Sequence, residues 1–283
     1  MYKLIWKEGD LLQEKKLNED LANQIIQDHI LLNKNIRCLD FYYIVKTNFT
    51  ILLNKLNSEQ TTIKEVNAIE TNRLLYNFLN SLYSYIEYLE RNFKQEFSKV
   101  KINIYDKNFS YRLLYNLRRY MTHYDFGVTI IKSTYNPNNI TKEFSIDLNK
   151  IITSNMINKT FQKELMLKFQ LGPHLDILPI LKEFENVLIY FQEQIILALS
   201  NYTKDSMANL LSYIPLKRVD VWLYENESFR KSLFNIVTKY YLKLAHEFIY
   251  KENLFQNNDH HEINNLFMCI SEIYYGEKGW VCK

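Results

Sequence analysis

Arginine and histidine crowd into one stretch of this chain, Tyr111-Arg112-Leu113-Leu114-Tyr115-Asn116-Leu117-Arg118-Arg119-Tyr120-Met121-Thr122-His123. At helical spacing Arg112, Asn116, Arg119 and His123 fall on one stripe, with Arg118 and Thr122 beside it. Guanidinium groups give charge-assisted, often paired hydrogen bonds to phosphate oxygens, and imidazole is the side chain whose ordinary pKa lies closest to neutrality. The stretch is therefore expected to hold a phosphate and to move a proton. Positions 113, 117, 120 and 124 form an apolar stripe expected to face a core. Upstream, Glu70, Arg73, Asn77 and Ser81 or Ser84 make a second polar stripe among Leu74, Leu75, Phe78, Leu79 and Leu82. The two polar stripes are candidates to face each other.

Helices must position these groups. Between Gly9 and Gly127 there is neither glycine nor proline, so the strongest local breakers are missing from most of the first half. The pattern predicts helices near 18–31, 34–57, 60–98 and 109–125, with Asn18, Ser58 and Asn108 or Ser110 as caps. Gly127 is expected to close the fourth helix in the left-handed conformation, which leaves His123 close to its C-terminal end. Val128–Ile131 and Phe144–Leu148 flank the turn cluster Asn136-Pro137-Asn138-Asn139 and predict a small hairpin. Helices are expected again near 158–170 and 177–201, separated by Gly172-Pro173, with Pro215 ending a further short helix and amphipathic spacing through Phe234, Val237, Tyr241, Leu244 and Phe248. The expected class is mainly α. Residues 1–202 read as a helical bundle with a short β-hairpin near 128–148, and 203–283 as a C-terminal helical appendage.

Composition narrows the function classes. A net charge of +3 is too small for charge alone to indicate nucleic-acid binding, so any such contact must be local. Cys38, Cys269 and Cys282 are odd in number and lack paired spacing, which argues against a disulfide framework or structural zinc and for reduced thiols in a cytoplasm. The N-terminus lacks the apolar run of a signal peptide, and Val187–Leu199, interrupted by Gln192, Glu193 and Gln194, is too short to span a bilayer. No membrane association is expected. His260, His261 and Glu262 with His246 and Cys269 lack an i, i+4 ligand pair, so no metal is assigned, and no cofactor either. The signatures of P-loop hydrolases, dinucleotide-binding folds and zinc proteases are absent.

Arg118-Arg119-Tyr120-Met121-Thr122-His123 has the form Arg-x4-His and resembles the motif of HEPN-domain proteins. The order of elements is also similar: paired long helices, the motif on the last helix of the bundle, then glycine and a short β segment. Glu70–Asn77 resembles a polar helix segment of bacterial members. The resemblance covers about residues 33–200 and leaves 203–283 unexplained. It implies an antiparallel helical bundle acting as a homodimer that cuts RNA without a metal, in phage defence or with an antitoxin partner. Carried over, Arg118 and His123 are the catalytic pair. Arg119 departs from the pattern, standing where the family has a smaller polar residue.

The chemistry can be stated from the side chains. Cleaving RNA through its own 2′-hydroxyl needs a proton shuttle and a cation for the phosphorane, which suit His123 and Arg118. Arg112, Asn116, Arg119, Thr122, Arg73 and Asn77 are the expected substrate-binding residues. In an ideal helix, residues five apart differ by about 140° of azimuth, so Arg118 and His123 do not share a stripe. A site composed across a two-fold axis removes that objection and makes the dimer part of the expectation. The alternative from another class is a non-catalytic helical adaptor or sensor for a protein or RNA partner.

Overall fold

The computed structural model describes residues 2–8, 10–60, 67–136, 139–154, 156–170, 172–213, 221–225 and 229–254. The described chain is mostly helical, with two small antiparallel sheets, and it divides into two compact units. One comprises residues 41–192, and the other brings residues 1–40 together with 193–283.

Helix α1, Glu19–Gln60, runs for 42 residues where two helices were expected. Asn18 accepts a bond from the Leu21 amide at its start, and Glu19 and Asp20 complement the dipole of the first turn. It runs through the expected break near 32–33, where Asn33 and Asn35 each turn a side-chain amide back onto the helix, to the carbonyls of His29 and Leu31. The single helix expected near 60–98 is instead divided. Helix α2, Ala68–Asn92, is capped by Asn67, which accepts from the Glu70 amide, and ends at Phe93. The Phe93 ring is buried and meets Tyr88 edge-on, and the chain turns there into α3, Lys94–Tyr105.

Helix α4, Phe109–His123, carries the motif. Strands β3 (Val128–Asn136) and β4 (Asn139–Asp147) form the expected hairpin, and β5 (His174–Asp176) adds a third strand to β4. Between them lie α5 (Leu148–Thr153) and α6 (Lys159–Phe169), and α7 (Ile177–Ser212) follows. The core of this unit is strongly aromatic: Phe49, Phe78 and Phe184 meet one another, and Tyr85, Phe97 and Tyr111 all meet Phe191.

Gly127 serves differently from expectation. Among the described glycines the positive φ belongs to Gly172 (151°), while α4 has already ended at His123. A Cβ at Gly127 would lie 2.8 Å from Met121 Sδ and 3.0 Å from Leu75 Cδ2. Glycine is needed there for close approach rather than for a left-handed turn. Tyr124 also departs from the apolar stripe, since it follows the helix and is 58% exposed.

The other unit joins residues from both ends of the chain, where a boundary at residue 203 was expected. Strands β1 (Tyr2–Glu8) and β2 (Leu11–Leu17) make an N-terminal hairpin unexpected from sequence, and β1 pairs with β6 (Val221–Glu225), which pairs with β7 (Phe229–Ser232). Leu4, Val221 and Leu223 share one buried cluster with Leu32, Ile36, Met207 and, from α8 (Leu233–Leu254), Val237 and Leu244. The segment read as an appendage therefore shares its core with the start of the chain. Cys269, Cys282, Pro215, Pro137 and the pair His260-His261 lie outside the described residues, as does the side chain of His246. No helix among the described residues is long and apolar enough to cross a membrane.

Candidate active site

Helix α4 turns Tyr111, Leu113, Leu114, Asn116, Leu117 and Tyr120 inward. Its last two turns present Tyr115, Arg118, Arg119, Thr122 and His123 on the opposite side, half-buried or exposed. The i, i+3, i+4 spacing that buries one face fixes the other.

Arg118 is held in place from α2. Its Nε donates to Asn80 Oδ1 at 3.3 Å, and its guanidinium carbon lies 3.8 Å from the centroid of the Tyr83 ring. Stacking covers a face of the guanidinium and leaves the in-plane donors at its edge directed outward. Neither terminal nitrogen donates to a described residue, and no described carboxylate pairs with Arg118, Arg119 or His123. This end of α4 is thus an oriented cation beside an exposed arginine and an exposed imidazole, with uncompensated positive charge.

The other expected substrate-binding residues fall elsewhere or are otherwise engaged. Arg112 donates to both Glu164 oxygens, at 2.9 and 2.7 Å, and to the carbonyls of Tyr105 and Asp106, at 2.6 and 2.7 Å. It ties α4 to α6 and to the end of α3. Asn116 is 2% exposed and donates to the Arg112 carbonyl at 2.8 Å. Position 116 therefore leaves the polar stripe, because α4 packs a wider face than its apolar residues alone suggest. The Thr122 hydroxyl donates back to the Arg118 carbonyl at 2.8 Å. Arg73 binds both oxygens of Glu70 on its own helix, at 2.7 and 2.6 Å, and Asn77 is exposed. The facing contact between α2 and α4 runs through Asn80 and Tyr83 instead, one turn further along.

A buried tether fixes the end of the motif helix relative to α2. Asn72, 2% exposed, donates to the Val128 carbonyl at 2.7 Å and accepts from the Val128 amide at 2.9 Å. The side-chain amide thus imitates a strand partner for β3. Two residues after His123 in sequence, Asp125 accepts from the Phe126 amide and pairs with Lys150 at 3.1 Å. The amide bond, then the lysine, holds its carboxyl below the usual carboxylate range. Tyr120 is buried, and desolvation, then the charge of Asp125, pushes its phenol up to about 12. Tyr120 is accordingly neutral beneath the exposed face and offers no competing anion.

No family model, curated protein or solved structure matches the chain. The functional reading therefore stands on these side chains. Asn80, Tyr83 and Asn72 were missed from sequence. The signal for the first two was present, since both lie three to six residues beyond Asn77 on the same helix. For Asn72 there was none, because its partner is 56 residues away.

Proposed function

We propose that this protein is a metal-independent endoribonuclease of HEPN-like architecture, acting as a homodimer in which Arg118 of one protomer and His123 of the other share a site. The observation that carries the reading is Arg118: stacked on Tyr83, held by Asn80, and without a carboxylate partner among the described residues. Arg112, by contrast, is satisfied by both Glu164 oxygens and two carbonyls.

In the proposed reaction the scissile phosphate lies against the Arg118 guanidinium and Arg119. His123 accepts the proton of the 2′-hydroxyl, and the 2′-oxygen forms its bond to phosphorus. The P–O5′ bond breaks, and the 5′-oxygen leaves as a hydroxyl after taking the proton from the imidazolium. The products are a 2′,3′-cyclic phosphate and a 5′-hydroxyl. Arg118 neutralises charge that builds on the equatorial oxygens, and the proton shuttle is worth roughly 10² to 10⁴ in rate.

Within one helix the two residues are about 7.5 Å apart along the axis and about 140° apart around it, so a partner helix is needed to bring the groups to one phosphate. Tyr124 and Phe126, 58% and 56% exposed, flank this end of α4 and supply apolar surface for that partner. Composite sites have a direct test. Arg118→Ala and His123→Ala proteins, each reduced to a small residue of wild-type activity, are expected to recover about a quarter of it after subunit exchange, because half of the dimers are mixed and each holds one intact site. Inactivity of the mixture, with exchange verified, would refute the shared site. Phage defence or an antitoxin partner follows from the resemblance alone and belongs to this proposal.

The second reading, a non-catalytic adaptor, is favoured by Arg119. Its charge stands where the family carries a smaller polar group, and the exposed aromatics beside it suit a protein partner equally well.

A further inference from the structure

The exposed face of α4 ends, one turn before Arg119, in Tyr115, which with Tyr105, Lys101 and Glu90 has no part in the cleavage reading. The half-buried Tyr115 ring lies 6.3 Å from that of Tyr83 and 6.1 Å from that of Tyr105. Lys101 Nζ stands 5.9 Å from the Tyr115 centroid and pairs with Glu90 at 2.5 Å.

The two ends of the face differ in charge. Among the described residues no carboxylate matches the positive charge at the Arg118 and Arg119 end, whereas Glu90 cancels Lys101 beside Tyr115. A phosphate is drawn to the first end and gains little at the second. Tyr115, Arg119 and His123 recur at i, i+4 and i+8, so they form one line about 12 Å long. A cationic track beside aromatic rings is the arrangement by which proteins hold unpaired nucleotides, the cations taking the backbone and the rings the bases.

We propose that Tyr115, flanked by Tyr83 and Lys101, is a binding subsite for one unpaired nucleobase of a strand whose backbone lies along Arg118 and Arg119. The base stacks on the exposed part of Tyr115, and the Lys101–Glu90 pair offers its edge one donor and one acceptor. Duplex RNA is refused, because its bases already stack on each other. Desolvation, as the leading effect, raises the Tyr115 phenol above its ordinary value, so the ring stays neutral beside the strand. The subsite takes its strand direction from the ribonuclease reading, but its test needs no cleavage.

That test is fluorescence anisotropy on the full-length His123→Ala protein with a labelled RNA of about ten nucleotides, the same strand annealed to its complement, and the same strand carrying abasic positions. The unpaired strand is expected to bind at least about fivefold more tightly than either control. Tyr115→Leu is expected to abolish the difference and Tyr115→Phe to keep it, with thermal melts verifying the fold. If Tyr115→Leu does not fold, Lys101→Glu on the helix surface serves instead and is expected to weaken binding of the strand. Equal binding of strand and duplex, or full affinity in both Tyr115→Leu and Lys101→Glu, would overturn the subsite. Base-dependent binding by a wild type that never cleaves would sink the ribonuclease reading and leave the subsite standing. Cleavage with Tyr115-independent binding would do the reverse.

Discussion

Replacing Tyr83 by leucine removes the surface on which Arg118 is stacked and keeps a side chain that fills most of the space on α2. At 3.8 Å from the ring centroid the cation–π contact is well formed, and such contacts contribute about 0.5–2 kcal/mol. The Asn80 bond, at 3.3 Å, is long and adds less. Without the ring the guanidinium regains rotamer freedom, of which an arginine has about 2 kcal/mol to lose. At about 1.4 kcal/mol per factor of ten, a penalty of about 1–2 kcal/mol corresponds to a loss of about five- to thirtyfold in kcat/KM. The assay is RNA cleavage by Tyr83→Leu, Arg118→Ala and the double variant. Once Arg118 is alanine the stacking has nothing left to position, so Tyr83→Leu is expected to cost then only the small share that comes from its place beside Tyr115. A Tyr83→Leu protein with wild-type kcat/KM, or losses that simply multiply in the double variant, would show that the stacking does not position the arginine.

Three further outcomes are expected. Asn72→Ala leaves both polar groups of the buried Val128 backbone without their side-chain partner; a cost of about 3 kcal/mol should lower the melting temperature by roughly 6–12 °C, as calorimetry would show. Arg112→Ala breaks the paired contact to Glu164 and two carbonyl contacts, so it should lower stability by about 2 kcal/mol in urea melts while leaving RNA affinity unchanged, whereas a selective loss of affinity would restore Arg112 to the binding face. Burial, against the bonds from Ser206 and Asn209, raises the Asp28 carboxyl above its ordinary 3.8. The folded state then binds the proton more tightly than the unfolded chain, so this contribution is full below pH 3.8 and is lost as pH rises through the raised value. Asp28→Asn should flatten that decline in melts from pH 3 to 7, and an unchanged slope would exclude Asp28 as its source.

Local signals were legible where they acted alone. The absence of glycine and proline, the period of α4 and the turn cluster at 136–139 each concern neighbours in sequence; they located α4 and the β3–β4 hairpin closely, but not the continuity of α1 or the division between α2 and α3 at Phe93. What was illegible depends on distant partners. The continuity of α1 past residues 32–33 was also illegible, since sequence does not show that the amides of Asn33 and Asn35 fold back onto the helix. The N-terminal hairpin was missed because β2, Leu11–Leu17, is mostly exposed and shows no apolar alternation, and β1 acquires its second neighbour, β6, only from beyond residue 220. Of the motif stripe, Arg119 and His123 are exposed, whereas Asn116 is buried by tertiary packing and Arg112 is engaged by Glu164. Polar character at helical spacing located the face without showing which of its members the fold itself would use.

The most direct test of the account is cleavage of RNA by purified wild-type and His123→Ala protein in excess EDTA, with end-group analysis and mass determination on the same preparations. The account predicts cutting by a wild-type dimer that leaves 2′,3′-cyclic phosphate and 5′-hydroxyl ends, and none by the variant. Equal cutting by both, or no cutting by a correctly folded wild-type dimer, would contradict it.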